Sequence, residues 1–193
     1  LRSTGMIETA APYLTGRFLL AMPGMGDPRF EQAIILMVAH DEDGALGIGV
    51  GQERKGLRVK DLLKQLDLAH ANAPDAPVMH GGPVEPGRGF VLHSADWGGH
   101  DTVDVGTLCR MTATQDVLKA IGEGKGPSKF LVCLGYAGWS GGQLEEEMTR
   151  HGWMDAPGSD AILFEDEAPA RWSRGYEALG IDPALLSPDS GAA

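Results

Sequence analysis

The sequence predicts an α+β fold, and three observations carry that expectation. Short apolar runs near the N-terminus are separated by tight-turn chemistry, as in antiparallel hairpins. Farther along, apolar residues recur at helical spacing. The resulting order is strands, helix, strands, helix, strand, helix, strand, helix. That order is mixed rather than alternating, which argues against a doubly wound parallel sheet.

Residues 16–22, 32–39 and 45–50 read as the first three strands. Pro23, Gly24, Gly26 and Pro28 break the chain after the first, and Asp41-Glu42-Asp43-Gly44 turns it after the second through an Asp-Gly step. Val59, Leu62, Leu63 and Leu66 then fall on one face of an amphipathic helix. Residues 69–77, rich in Ala, Pro, Asn and Asp, read as a loop. Strands are expected over 89–93 and 102–105. Thr112-Ala113-Thr114-Gln115 has the form of a capping box, opening a helix that runs to about Ile121 and stops at Gly122 and Gly124. Residues 129–136 predict a buried strand, 140–150 a helix halted by Gly152, and 161–164 a short strand. Trp172, Tyr176 and Leu179 share a helix face, and Asp182-Pro183 begins a last short turn.

At 193 residues the chain fits one domain and can bury a core without a metal or a disulfide. Its 42% hydrophobic and 22% charged residues exclude whole-chain disorder. The 28 glycines are about twice ordinary usage, but they fall between apolar runs rather than in a collagen repeat. The domain is expected over residues 13–186. Residues 1–12 read as a disordered N-terminus, with 1–5 a cloning remnant ahead of Met6, and 187–193 as a frayed tail.

The net charge is −11, and no basic stripe is present, so direct nucleic-acid binding is not expected. Residues 151–193 carry eight acids against Arg171 and Arg174, which repels anionic partners and membrane surfaces. Cys109 and Cys133 both lie in apolar stretches and read as small buried hydrophobes. No apolar run approaches the ~18 residues of a membrane span, and no secretory signal opens the chain. The expected location is the cytoplasm, with no membrane partner.

Motifs for chemistry are sparse. Gly138-Trp139-Ser140-Gly141-Gly142 has the G-x-S-x-G form of a nucleophile elbow. Only His151 follows it, and eleven residues of helix would hold His151 ~16 Å from Ser140. Ser140 with Gln143 instead fits a second capping box, with Glu145, Glu146 and Glu147 at the positive end of the helix. Residues 122–128 lack phosphate-loop spacing and precede a strand. His93, Asp96, His100 and Asp101 form the densest group of metal-ligand types, and turn formation around Gly98-Gly99 explains them more simply. No catalytic residue, metal or cofactor is assigned.

Three stretches, in order and at plausible spacing, resemble the AlgH/YqgE family. Leu14-Thr15-Gly16-Arg17-Phe18-Leu19-Leu20-Ala21-Met22-Pro23 with Asp27-Pro28-Arg29-Phe30 resembles its opening. His80-Gly81-Gly82-Pro83-Val84 with Gly89-Phe90-Val91-Leu92-His93 resembles its centre. Gly135-Tyr136-Ala137-Gly138-Trp139 followed by Gly142-Gln143-Leu144-Glu145 resembles its third signature, and Trp153 falls where the family carries a tryptophan. The chain departs from the family at Gly49-Val50-Gly51-Gln52, where an Ile-Asn pair and a proline are usual, and at His151, where Asn is common. The resemblance implies a bifurcated mixed β-sheet folded into a pseudo-barrel with flanking helices. It implies no settled activity; the family is named for a proposed regulator of alginate synthesis.

Each signature places glycine beside polar or aromatic residues at a loop, where exposed N–H groups can hold an anion or a carbonyl. The expected ligand cleft is lined by Asp27, Arg29, His80, Gly81, Gly82, Trp139, Gln143 and Glu145. Structural duties compete for these residues: a turn at Asp27, core packing for Trp139, a cap for Gln143. Two functions follow. One is a non-catalytic binding or regulatory protein, such as a transcription-related regulator, working through protein or small-molecule contacts. The other is a hydrolase-like enzyme that uses the glycine-rich cleft.

Overall fold

A computed structural model describes residues 13–24, 30–150 and 152–186. Ten strands form one curled sheet, a half-barrel with helices packed around it. β1 (Phe18–Ala21) lies between β2 (Ile34–Asp41) and β10 (Trp153–Ala156), antiparallel to both. β1 and β2 read as continuous apolar runs because both of their faces are buried. Phe18, Leu20, Ile34, Leu36 and Val38 point into the main core, while Leu19, Ala21, Ile35 and Met37 pack on the opposite side. The expected Asp-Gly turn joins β2 to β3 (Gly44–Gly49), with Asp41 paired to Gly44 and the Asp43 N–H on Asp41 Oδ1 (2.8 Å).

Four strands carried no usable signal in the sequence. β4 (Glu53–Arg58) is a polar, mostly exposed edge strand, bulged where it pairs with β5. β5 (Pro77–His80) opens with proline, which a strand tolerates at its first position. β8 (Cys109–Thr112) and β10 have four residues each, too few for a period to emerge. β6 (Val84–His93) starts five residues before the expected strand, and β7 (Val103–Val105) falls where it is expected. Helices α1 (Val59–Gln65) and α2 (Gln115–Gly122) bury Val59, Leu63, Val117 and Ile121 against Val78 of β5 and against Val132.

β9 (Phe130–Ser140) is the pivot of the sheet. β6 runs antiparallel along one edge. The other edge is shared: β5 pairs in parallel with Val132, Cys133 and Leu134, and β3 pairs antiparallel with residues 137–140. The sheet divides where β5 leaves and β3 takes over. At that point Gly135 adopts φ +83°, a left-handed conformation suited to glycine. The turn it makes reverses the alternation of side chains. Leu131 and Cys133 face the main core before it, Tyr136 packs there after it, and Ala137 and Trp139 face the opposite cluster.

Three expected elements differ. Thr112 ends β8 rather than capping α2; Thr114 is the N-cap, its hydroxyl donating to the Asp116 carboxylate rather than accepting a helix N–H. The helix expected over 140–150 is α3 (Gln143–Thr149), because β9 continues to Ser140 and left-handed Gly142 (φ +79°) supplies the N-cap. Half of the expected box survives: the Gln143 side chain accepts the Ser140 N–H (3.0 Å). The strand expected over 161–164 is a π-helix, Ala161–Glu165. Ser159 Oγ accepts the Ile162 N–H (3.2 Å), and the Ala161 carbonyl accepts the Asp166 N–H (2.9 Å). A four-residue apolar run cannot distinguish strand from helix by period alone. α4 (Ala168–Ala178) follows as expected, with Trp172 and Tyr176 inside the half-barrel, both donating to the Ala21 carbonyl (2.9 and 3.0 Å). A 3₁₀ turn, Pro183–Leu186, ends the described chain.

Candidate functional site

The backbone at the division of the sheet is tightly held. His80 N–H donates to the Gln52 carbonyl (2.8 Å) and Gly81 N–H to the Leu134 carbonyl (2.7 Å). The Gly81 carbonyl accepts from Gly49 N–H (2.7 Å), which ties β3 to the exit of β5. No side chain fits here. A Cβ on Gly81 would lie 2.2 Å from the Gly135 carbonyl oxygen, and one on Gly82 would lie 2.2 Å from the Tyr136 carbonyl carbon. The glycine pair therefore lets the chain cross β9 in van der Waals contact before β6 begins.

A cleft of about 870 Å³ opens beside this crossing. His80, Gly81, Gly82 and Pro83 form one wall, and Gly49, Gly51 and Gln52 from the end of β3 form another. Phe30 to Ile35, entering β2, and Ala168, Pro169 and Trp172, from the first turns of α4, close the rest. Cavities of this size hold small molecules, and divided sheets favour them because splaying strands leave backbone exposed at their ends.

Among the described residues, two of the three non-glycine residues with positive φ border this cleft. Gln32, at φ +52°, lines it, and Glu85, at φ +45°, precedes the cleft-lining Pro86. Asp67, the third, directly follows the C-cap of α1, where the left-handed region is common. Backbone strain of this kind is retained where surrounding structure enforces it, often at ligand sites. His80 is half-buried, and burial first, then the nearby Arg54 guanidinium, hold its pKa below the ordinary imidazole value. The ring therefore favours its neutral form, able to donate or accept one hydrogen bond at each nitrogen.

The remaining described members of the expected site lie around α3. Trp139 Nε1 and Trp153 Nε1 both donate to Glu147 Oε1 (3.0 and 3.1 Å), and Gln143 Nε2 donates to Glu147 Oε2 (2.9 Å). The indole rings meet edge to face at 6.2 Å. Glu145 Oε2 lies 3.2 Å from His40 Nε2, while His40 Nδ1 accepts the Leu14 N–H (3.0 Å). A backbone N–H can only donate, so the His40 ring proton faces Glu145. Ser140 Oγ lies 3.2 Å from Gln143 Oε1, and no histidine bonds it among the described residues. Asp27, Arg29 and His151 lie outside the described residues.

Thus the structure brings His80, Gly81 and Gly82 to the cleft and places Trp139, Gln143 and Glu145 in the α3 cluster. The cleft also uses Gln32, Gln52, Pro86 and Trp172. These gave no warning in the sequence: Trp172 reads as core, and nothing local marks a glutamine whose backbone is held left-handed.

The group around His93 is a closed network. Ser94 and Thr112 flank a fully buried imidazole, with the Ser94 carbonyl 2.9 Å from Nδ1 and Thr112 Oγ1 2.7 Å from Nε2. The carbonyl only accepts, so Nδ1 carries the proton and Nε2 accepts from Thr112. Thr102 and Gly99 continue the chain (2.8 and 2.7 Å). Among the described residues no three His, Cys, Asp or Glu converge as a metal site would require. Cys109 and Cys133 are free and buried, which pushes both thiols up to about 12. No described helix is long and apolar enough to cross a membrane.

Comparison with known proteins places these features in context. The model of the AlgH-like family, a domain of unknown function (DUF179), matches residues 18–184. A UPF0301 protein of Novosphingobium aromaticivorans is 57% identical over 183 residues, 95% of this chain and 98% of the relative. One from Sphingopyxis alaskensis is 52% identical, covering 97% of this chain and all of the relative. Among solved structures, the AlgH protein of Pseudomonas aeruginosa superposes with a TM-score of 0.77 at 41% identity, over 92% of this chain and 95% of that one. A Corynebacterium diphtheriae protein shares the fold at TM-score 0.71 and 20% identity, over 96% and 97% of the two chains.

Proposed function

This chain belongs to the AlgH-like family, and from that premise we propose that it is a non-catalytic, regulatory binding protein of the cytoplasm whose ligand site is the cleft where the sheet divides. One observation carries the reading: strained Gln32 and half-buried His80 line a cleft of about 870 Å³ together with the backbone of Gly49, Gly51, Gly81 and Gly82. Amide side chains and a neutral imidazole suit recognition through hydrogen bonds, and Trp172 and Pro169 supply apolar contact. Ser140, the strongest nucleophile candidate by motif, has its hydroxyl on an amide rather than on a base, which favours binding over hydrolysis. The acidic balance of the chain supports control through small-molecule or protein contacts rather than contact with DNA.

A thermal-shift screen tests the proposal, using nucleotides, acyl and sugar phosphates, amino acids and short DNA. A ligand at 100 times its Kd adds about 2.7 kcal/mol, which raises Tm by roughly 5–10 °C for a chain of this size. The expected result is a hit that disappears in His80→Ala and Gln52→Ala. A flat panel, or a shift that survives both substitutions, removes the cleft as the ligand site.

A further inference from the structure

The chain carries a net −11, yet two arginines that bond carbonyls at or next to the cleft lining make no ion pair among the described residues. Arg54 donates from Nη2 to the carbonyl of cleft-lining Pro86 (3.0 Å), and no carboxylate pairs with it among the described residues. It is near enough to the His80 ring to add to the lowering of its pKa. Arg171 is 4% exposed. It donates from Nη1 to the Val50 carbonyl (2.7 Å), between cleft-lining Gly49 and Gly51, and from Nε to the Ile162 carbonyl (2.9 Å). It too lacks an ion-pair partner among the described residues, which is costly for a buried cation. The first turn of α4 adds the positive end of a helix dipole at Ala168 and Pro169.

Acids are present as well, Glu167 among them at the N-cap of α4. Glu85 accepts the Tyr136 hydroxyl (2.9 Å) and pairs with Arg88 (3.5 Å). Glu53 and Asp166 act on Arg171 without reaching ion-pair distance. Glu31 lines the cleft with its side of the wall exposed to solvent. Glu31 is the one carboxylate among the residues lining the cleft, and Arg54, on the Pro86 carbonyl at its rim, is the partly exposed cation without an ion-pair partner among the described residues. Trp172, Pro169, Phe30 and Ile34 give the same cleft an apolar surface.

We infer that the cleft takes a small amphiphilic anion, its carboxylate or phosphate head held by Arg54 beside His80 and its apolar body against Trp172 and Pro169. This rests on the reading of the cleft as a ligand site and adds the chemical class of the ligand. Arg54 supplies a charge-assisted hydrogen bond to the head, and its present bond to a neutral carbonyl is readily exchanged.

The test uses three eight-carbon probes on the full chain: octanoate, octyl phosphate and octanol. Binding is measured by titration calorimetry and located by the amide resonances of Gly81 and Gly82. Octanoate or octyl phosphate should bind at least about tenfold more tightly than octanol, the worth of one charge-assisted hydrogen bond. Arg54→Gln should remove that preference while leaving the unfolding midpoint unchanged, because Arg54 is partly exposed and Arg171 is left in place. Comparison of the two anions identifies the preferred head. Equal binding of octanol, or an Arg54→Gln variant that keeps the preference, overturns the inference while the cleft remains a ligand site. Resonance shifts away from Gly81 and Gly82 overturn both readings; no binding by any probe overturns this inference alone, because the wider panel tests the cleft independently.

Discussion

The cleft and the α3 cluster are built from similar sequence, glycine beside an aromatic or a polar residue, and they differ in what their polar groups do. Around α3, Glu147 serves two indoles and Gln143, Gln143 serves Ser140, and Glu145 serves His40. Each group satisfies its neighbour, which makes a lock that holds α3 onto β9 and β10. At the cleft, the Gly49 and Gly81 backbone is bonded, but His80, Gln32, Gln52 and Arg54 face open space or a single carbonyl. A polar residue that is internally satisfied stabilises the fold, whereas one left open in a cavity is available for a ligand.

Substitutions can break this contrast. Trp139→Ala should have the largest effect: it empties the lock and should cost about 3–5 kcal/mol in urea unfolding without altering the cleft amide resonances. A loss below about 1 kcal/mol would deny the lock its structural role. Gly81→Ala should cost about 3 kcal/mol, since its Cβ would meet backbone at 2.2 Å and β9 cannot yield. Wild-type stability in that variant would show that the crossing is looser than described. Glu147→Ala should cost about 2 kcal/mol by leaving two indole N–H groups without an acceptor. Its effect should shrink markedly when Trp153→Phe is already present, and strict additivity would count against the shared carboxylate.

The smallest expected effect has the opposite sign. Gln32→Gly relieves a left-handed glutamine and should raise stability by about 1 kcal/mol while weakening ligand binding. A destabilised variant would mean that the Gln32 side chain holds the fold rather than the ligand. Acid sharpens the comparison further. Burial holds His93 and His80 below the ordinary imidazole pKa; the Ser94 carbonyl partly offsets this at His93, and Arg110 and Arg54 respectively reinforce it. The unfolded chain then takes protons first, near pH 6.5, so stability is full above that value and falls as the pH drops through the folded values. His93→Gln should flatten that fall in a pH series of unfolding midpoints, and an unchanged slope would remove His93 as its source.

Much of the fold was legible because burial leaves a periodic trace. β1, β2, β3, α1 and α4 appear as apolar runs or helical stripes, and their positions follow from Phe18, Ile35, Leu62 and Trp172. β4 was hidden because an exposed edge strand reads as a polar loop, and β8 and β10 because four residues hold no period. The glycine-rich signatures marked loops that matter, but not which of them meet. Trp139 and His80 carry similar weight in the sequence, and only the left-handed turn at Gly135 sends Trp139 to the face covered by α3.

By itself the sequence determined the α+β class, the family resemblance, the buried thiols and the presence of glycine-rich loops between the apolar runs. These follow from local chemistry: hydrophobic period, turn propensity and side-chain size. The tertiary structure alone decided where the sheet divides, that Ser140 ends a strand, and that Arg54 and Arg171, 117 positions apart, each donate to a carbonyl at or next to the lining of one cleft. The physical reason is that backbone pairing with β9 is indifferent to side-chain identity. Hydrogen bonds between N–H and carbonyl groups selected β3 and β5 as successive partners on one edge, and that choice, unwritten in any local motif, assembled the cleft.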